Sequence, residues 1–221
     1  RTPGSRARVA QAMGLVPFGL YLALFLVLPT VLALSSGFFQ KDGSFTWHNV
    51  AALGDPVIQT TFITTLWLSA LTAVVGAVLG ALVCYALIGV RHDGPLRSVI
   101  DSASGVLAQF GGVMLAFAFV ATIGIQGTMT VLLRDAGVDI YANGVWLYEA
   151  PGLILPYIYF QVPLMVIVFL PALEALKPQW VEANATLGGS TASFWWRIGI
   201  PVLAPSFLGS LLLLFANAFS S

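Results

Sequence analysis

The sequence predicts an all-α fold: a polytopic membrane helix bundle, with five spans in this chain and one structured polar loop over 174–201. Three observations predict it. Hydrophobic residues make up 58% of the chain and charged residues 8%, against about 25% charged in a soluble domain. So few charges cannot clothe a water-exposed surface. Five apolar stretches each reach the roughly 20 residues that cross a bilayer core of about 30 Å. Between the fourth and fifth lies a polar interruption, and lipid cannot satisfy its polar groups, so it belongs in water.

The first span covers 11–36, behind Arg1, Arg6 and Arg8, with Pro17 and Pro29 inside it. Neighbouring helices can re-satisfy backbone groups that a proline frees in a membrane. The run is too long for a signal-peptide core and lacks a small-residue cleavage site, so it stays as a helix. The connection over 37–58 is turn-rich, with Lys41-Asp42-Gly43-Ser44, Phe45-Thr46-Trp47-His48-Asn49 and Gly54-Asp55-Pro56. The second span covers 60–90. Gly76 and Gly80 form a GxxxG step that lets another helix approach closely.

Arg91 to Arg97 makes a short basic turn. The third span, 98–125, contains Gly105, Gly111 and Gly112, with Asp101 near its start. Asp101 is read as an interfacial carboxylate paired with Arg97 or Arg91. Residues 126–149 are polar again, with Arg134, Asp135, Asp139 and Asn143; 132–137 reads as a short helix at the outer surface. The fourth span, 150–173, opens with Pro151, Pro156, Tyr157, Tyr159, Phe160, Gln161 and Pro163. Prolines this dense predict a bent helix whose freed carbonyls can line a cavity. The fifth span runs from 202 to the end, with Phe215, Asn217 and Phe219 on alternate positions. The chain divides into a tail, first span and outer loop over 1–58, and a core over 59–221.

Lys and Arg set the orientation. Arg1, Arg6, Arg8, Arg91, Arg97, Lys177 and Arg197 fall on one set of alternate loops, and only Lys41 and Arg134 on the other. The N-terminus and the 174–201 loop are therefore expected in the cytoplasm.

That loop carries clear local signals. Pro178 suits the first turn of a helix, where its missing N–H costs nothing. Gly188 can close that helix in a left-handed cap. Ser190 or Thr191 can cap a second short helix through Phe194, Trp195 and Trp196, and Pro201 marks its end. A plain amphipathic loop at the membrane interface is the alternative, since Trp is at home there.

These residues resemble the EAA loop in the membrane subunit of binding-protein-dependent (type I) ABC importers. That motif reads Glu-Ala-Ala, three residues, Gly, nine residues, Ile, one residue, Leu-Pro. Glu182, Ala183, Gly188, Ile198 and Pro201 fall at those spacings; Asn184 stands where the motif has its second Ala, and Ile200 where it has Leu. The resemblance covers about 60–221. It implies coupling helices that dock into a cytoplasmic ATPase, with Glu182, Ala183, Leu187, Gly188, Ile198 and Pro201 as coupling residues. Trp180, Phe194 and Trp195 join Leu187 as candidate apolar contacts. It also implies a second permease subunit, homologous or identical, an extracytoplasmic binding protein, and residence in the bacterial inner membrane. The family commonly has a sixth span, expected to be missing here.

The chain shows no catalytic set. It has no GxxxxGK[ST] phosphate loop, HExxH or GxSxG, and no charged residue in the middle of a span. The lone Cys84 excludes an intrachain disulfide and a thiol-metal cluster, and reads as a packing residue. His48 and His92 are assigned to opposite membrane sides, so no metal site or cofactor is expected, and no basic patch awaits nucleic acid. Proton- or sodium-driven carriers usually hold intramembrane carboxylates. Their absence here points to an external ATPase as the energy source. A secondary carrier or channel-like protein is the alternative.

For the solute path, Gln109, Tyr157, Tyr159, Gln161 and Asn217 are the candidates; helix packing and an interfacial aromatic belt are the competing account of the same residues. The Phe45-Thr46…Asn49 loop and the run up to Pro163 are similar in style to polyamine permeases, followed by those for thiamine, aminoethylphosphonate and ferric ion. A small polar solute, with a polyamine first, is the expectation.

Overall fold

The computed structural model describes residues 15–40, 43–91, 93–142 and 144–221. Arg1, Arg6, Arg8, Lys41, Asp42, His92 and Asn143, used above for orientation and turns, lie outside the described residues. The chain forms two compact units, Arg1–Phe62 and Ile63–Ser221. Among the described residues the only β pairing is one isolated bridge, between Phe39 and Phe45. Among the described residues five helical stretches are long and apolar enough to cross a membrane, Leu15–Ser36, Pro56–Leu87, Gly112–Asp135, Ala150–Glu174 and Thr191–Ser220, the third of them interrupted by a turn.

In the first unit, α1 (Leu15–Ser36) carries a π-turn at Ala23–Val27, where the Leu28 N–H donates to the Ala23 carbonyl five residues back. Pro29 follows two residues later. A proline ring collides with the carbonyl four residues earlier, and the widened turn relieves that register. Trp47 then packs edge-on against Phe38 (5.7 Å) and Phe45 (5.4 Å). His48 is exposed at the start of the short helix α2 (His48–Ala51).

Helix α3 (Pro56–Leu87) starts on proline, and the Asp55 carboxylate caps it by accepting from the Val57 N–H at 2.8 Å. Its 32 residues reach roughly 48 Å at 1.5 Å per residue. One narrow face is buried: Leu68, Ser69, Thr72, Ala73, Gly76, Ala77, Gly80, Cys84 and Leu87. The GxxxG step is the reason this face fits. A Cβ on Gly80 would stand 2.4 Å from the Met165 Cβ, and one on Gly76 2.7 Å from the Gln161 Cβ. Small residues let the backbones approach where larger ones would hold them apart.

The expected third span is not one helix. It forms α4 (Pro95–Leu107), then a break, then α5 (Gly112–Ile123). The break follows from the glycine pair: Gly111 is extended and Gly112 sits at φ +62°, which side chains strongly disfavour. A second turn over 124–127 leads to α6 (Thr128–Asp135), the short helix read at 132–137, with its start four residues earlier.

Helix α7 (Ile154–Glu174), with Pro163 and Pro171 inside it, is central to the second unit. Its Met165, Val166, Phe169, Leu170 and Leu173 join Ala73, Ala77, Cys84 and Leu87 of α3, and Leu203 and Leu214 of the last helix, in one core. Phe169 meets Phe207 edge-on at 5.7 Å. The outer faces stay apolar: Val74, Val78, Leu82, Leu208 and Leu212 are all exposed, as lipid contact requires. After α8 (Pro178–Thr186), one continuous helix, α9 (Thr191–Ser220), runs to the end.

That continuity corrects the reading of Pro201 as a stop. The π-turn Trp195–Gly199 precedes it, and the Ile200 N–H reaches back to the Trp195 carbonyl. The chain thus treats Pro201 as α1 treats Pro29, by widening the turn before it.

Candidate functional site

The polar loop folds as its local residues dictate. Lys177 is extended and Pro178 opens α8. At its end the Gly189 N–H donates to the Asn184 carbonyl (2.8 Å) and the Gly188 N–H to the Ala185 carbonyl (2.9 Å). This crossed pair is the Schellman closure, and it holds Gly188 at φ +76°. Nothing lies within 4 Å of a Cβ built there, so glycine is required for its backbone freedom alone. Ser190 then caps α9, its Oγ accepting from the Ser193 N–H at 3.2 Å.

Two hinge residues were missed in the sequence. The Asn184 amide donates to the Ser190 carbonyl at 3.1 Å and so ties the two helices across the turn. A Cβ on Gly189 would strike the Asn184 Oδ1 at 2.3 Å. Asn184, the departure from the EAA pattern, is therefore a strut inside the turn. A short amide four residues before Gly188 was the available signal.

Among the six coupling candidates, Ala183, Leu187 and Ile198 meet in one open groove of about 530 Å³, together with Asn184, Arg197 and Val202. Glu182 faces a second hollow of about 540 Å³, lined by Leu87, Leu173, Glu174, Val181 and Phe194. Gly188 is the hinge between them, and Pro201 sits exposed at the start of the regular part of α9. Leu187 is 88% exposed, an apolar side chain offered to water on the loop's tip. Phe194 and Trp195 differ from expectation. Phe194 is buried, and Trp195 packs edge-on against Tyr85 at 5.4 Å, its ring face seated on Gly199. Trp196, 75% exposed, is the outward ring instead.

The loop's root is held by charge. Arg97, on α4, donates from Nε to Asp101 Oδ2 (2.8 Å) and from Nη1 to Glu174 Oε1 (2.6 Å). The Asp101–Arg97 pair matches the sequence reading; Glu174 is the added partner. Its hydrogen bond first, and that of Asp101 second, raise the Arg97 pKa further above its ordinary value.

The five path candidates do not converge. Gln161 is sealed on the α3–α7 seam, its Nε2 donating to Thr72 Oγ1 at 3.2 Å and its Oε1 without a partner among the described residues. Tyr157 lines an apolar cavity of about 290 Å³ with Leu115, Phe119, Pro156 and Phe160. Tyr159 faces outward against Phe119 at 5.7 Å. Gln109 is exposed in the break between α4 and α5, and Asn217 is half-buried near the end of α9. Among the described residues no cluster of three His, Cys, Asp or Glu side chains could hold a metal.

No family model matches the sequence. Among curated proteins the chain is 24% identical over 198 residues to a probable sulfate transport system permease protein, cysT, of Chlorokybus atmophyticus, covering 90% of this chain and 65% of that protein. It is 24% identical over 198 residues to the sulfate transport system permease protein CysW of Synechocystis sp., covering 90% and 67%. It is 23% identical over 199 residues to CysT of Salmonella typhimurium, covering 90% and 68%. The chain thus spans about two thirds of these relatives' length, slightly less for the first. Among solved structures, a bacterial ABC transporter involved in import of the acidic polysaccharide alginate matches 97% of this chain and 74% of that one, with TM-score 0.73 and 20% identity. The polyamine expectation finds no support among these relatives. Over nine-tenths of its length the chain is thus similar in sequence to permease subunits of sulfate transport systems, and it shares the fold of a solved ABC importer.

Proposed function

We propose that the chain forms part of the path by which an ATP-driven importer moves a small oxoanion, sulfate, across a bacterial inner membrane. It is a transport subunit and not an enzyme; ATP hydrolysis belongs to separate ATPase subunits gripping the 174–201 loop. A second permease, homologous or identical, completes the path, and an extracytoplasmic binding protein delivers the solute. The N-terminus and the loop lie in the cytoplasm.

The observation that carries this reading is the loop itself: two short helices locked at the Gly188 Schellman turn, with Leu187 and the groove of Ala183 and Ile198 open to a partner. The names of the sulfate relatives support the solute. So does charge: among the described residues no Asp or Glu lies in the middle of a candidate span. An interior without carboxylates suits a dianion better than a polycation, which has no counter-charge there.

ATP would close the ATPase dimer and draw the docked loops together, and rigid helices would carry that motion to the gate. The test is reconstitution in vesicles with candidate ATPase, second permease and binding-protein subunits from the same organism. Sulfate with binding protein is expected to stimulate ATP hydrolysis and sulfate uptake. Uptake that proceeds without any ATPase would overturn the reading in favour of a secondary carrier. Stimulation by spermidine and not by sulfate would overturn the solute.

A further inference from the structure

The Arg97–Glu174 contact joins two residues that local helix energetics disfavours. Pro95 opens α4, so Arg97 lies in its first turn, where the partial positive end of the helix repels a cation. Glu174 is the last residue of α7, where the partial negative end repels an anion. Each placement is unfavourable by itself. Asp101 offsets the Arg97 charge from within α4, and Arg97 offsets the Glu174 charge from across the helix pair. The Arg97 side chain is 8% exposed and that of Glu174 27%, so the pair is shielded from much of the screening that weakens surface pairs.

The place of the contact matters more than its strength. Only Ala175, Leu176 and Lys177 separate Glu174 from Pro178, the start of α8. Leu173 and Leu176 sit in or against the core on either side of it. Glu174 is therefore the corner at which the loop leaves the bundle, and Arg97 grips that corner from α4. Glu174 also borders the hollow that Glu182 faces.

We propose that Arg97 is a positioning residue for the loop: by clamping Glu174 it makes the α7–α8 corner move as one body with α4. This rests on the coupling reading above. Displacement of α8 by a motor would then rotate α4 together with α7. Without the clamp, the three-residue link would flex, and ATP would be hydrolysed without full movement of the bundle.

The test uses the reconstituted complex and reads sulfate taken up per ATP hydrolysed, with co-purification of the ATPase as the check on docking. Glu174→Gln is expected to keep the ATPase bound and to lower that ratio at least about fivefold, the low end of ordinary coupling between sites. Arg97→Gln is expected to do the same, and Arg97→Lys to recover part of the loss. Asp101→Asn removes the other carboxylate on Arg97 but leaves the corner clamped, and is expected to stay within about twofold of the parent. A purely structural role for Arg97 would make Asp101→Asn and Glu174→Gln fall alike. A ratio unchanged in Glu174→Gln, or equally reduced in Asp101→Asn, overturns the proposal while leaving the coupling reading intact. If Arg97→Gln fails to fold, Glu174→Gln decides alone, because Arg97 then retains Asp101. A parent chain that neither retains the ATPase nor couples it to uptake overturns the coupling reading, and the proposal with it.

Discussion

Gly80 and Met165 touch so closely that no side chain fits between them: a Cβ on Gly80 would stand 2.4 Å from the Met165 Cβ and 3.0 Å from the Val162 carbonyl. Backbone meets backbone here, and α3 and α7 are held as a pair. Gly80→Ala is expected to destabilise the protein by about 1–3 kcal/mol, the usual cost of overpacking a core. Gly80→Leu is expected to prevent folding. Gly209→Ala on α9, with nothing within 4 Å of its new methyl, is expected to be neutral or slightly stabilising by helix propensity. Thermal unfolding in detergent, followed by helical circular dichroism, checks all three.

Just beside that contact, Gln161 and Thr72 share one buried hydrogen bond while the Gln161 carbonyl oxygen has no partner among the described residues. Removing only the threonine hydroxyl leaves the amide with nothing, so Thr72→Val is expected to cost about 1–3 kcal/mol. Gln161→Met removes an orphaned acceptor along with its donor and is expected to lie within about 1 kcal/mol of the parent. Should Gln161→Met prove the more damaging and also abolish sulfate uptake, Gln161 belongs to the solute path and not to the seam.

At the hinge, Gly188 is held at φ +76° in open space. Gly188→Val is expected to insert in the membrane and fold, yet to lose solute-stimulated ATP hydrolysis. Gly188→Asn, which tolerates the left-handed region, is expected to retain most of it. The measurement is ATPase rate in vesicles, with membrane yield as the control. A Val variant hydrolysing at the parental, solute-stimulated rate ends the coupling role of the turn.

Gly189 and Asn184 are expected to be non-additive. A methyl at 189 meets the Asn184 side chain and breaks its bond to the Ser190 carbonyl, so Gly189→Ala is expected to cost about 1–3 kcal/mol. Removing the obstacle with Asn184→Ala costs about 1 kcal/mol by itself. The double variant is expected to be less destabilised than the sum by at least about 0.5 kcal/mol, as residues in contact are. A double-mutant cycle on unfolding reads this directly.

The loop was legible in the sequence because its determinants are local. Proline at a helix start, glycine where φ must turn positive and serine at a cap act within a few residues of chain, and all three stand where expected: Pro178, Gly188 and Ser190. The break at 111–112 carried the same kind of signal in its two glycines, and was passed over because the apolar run continues through it. Pro201 misled for the opposite reason. It has the usual mark of a helix end, but a π-turn absorbed it.

By itself the sequence determined that this chain crosses a membrane and that one polar loop with a glycine hinge stands out of it. Composition and short-range backbone limits are enough for that. Only the tertiary structure decided which rings of 194–196 turn inward, that Gln161 is sealed against Thr72, and that Arg97 reaches Glu174 across 77 positions of sequence. A helix that is apolar on every side carries no periodic mark of its packing face. Which of its neighbours it meets is settled by how closely the backbones can approach, and that is known only once the chain has closed on itself.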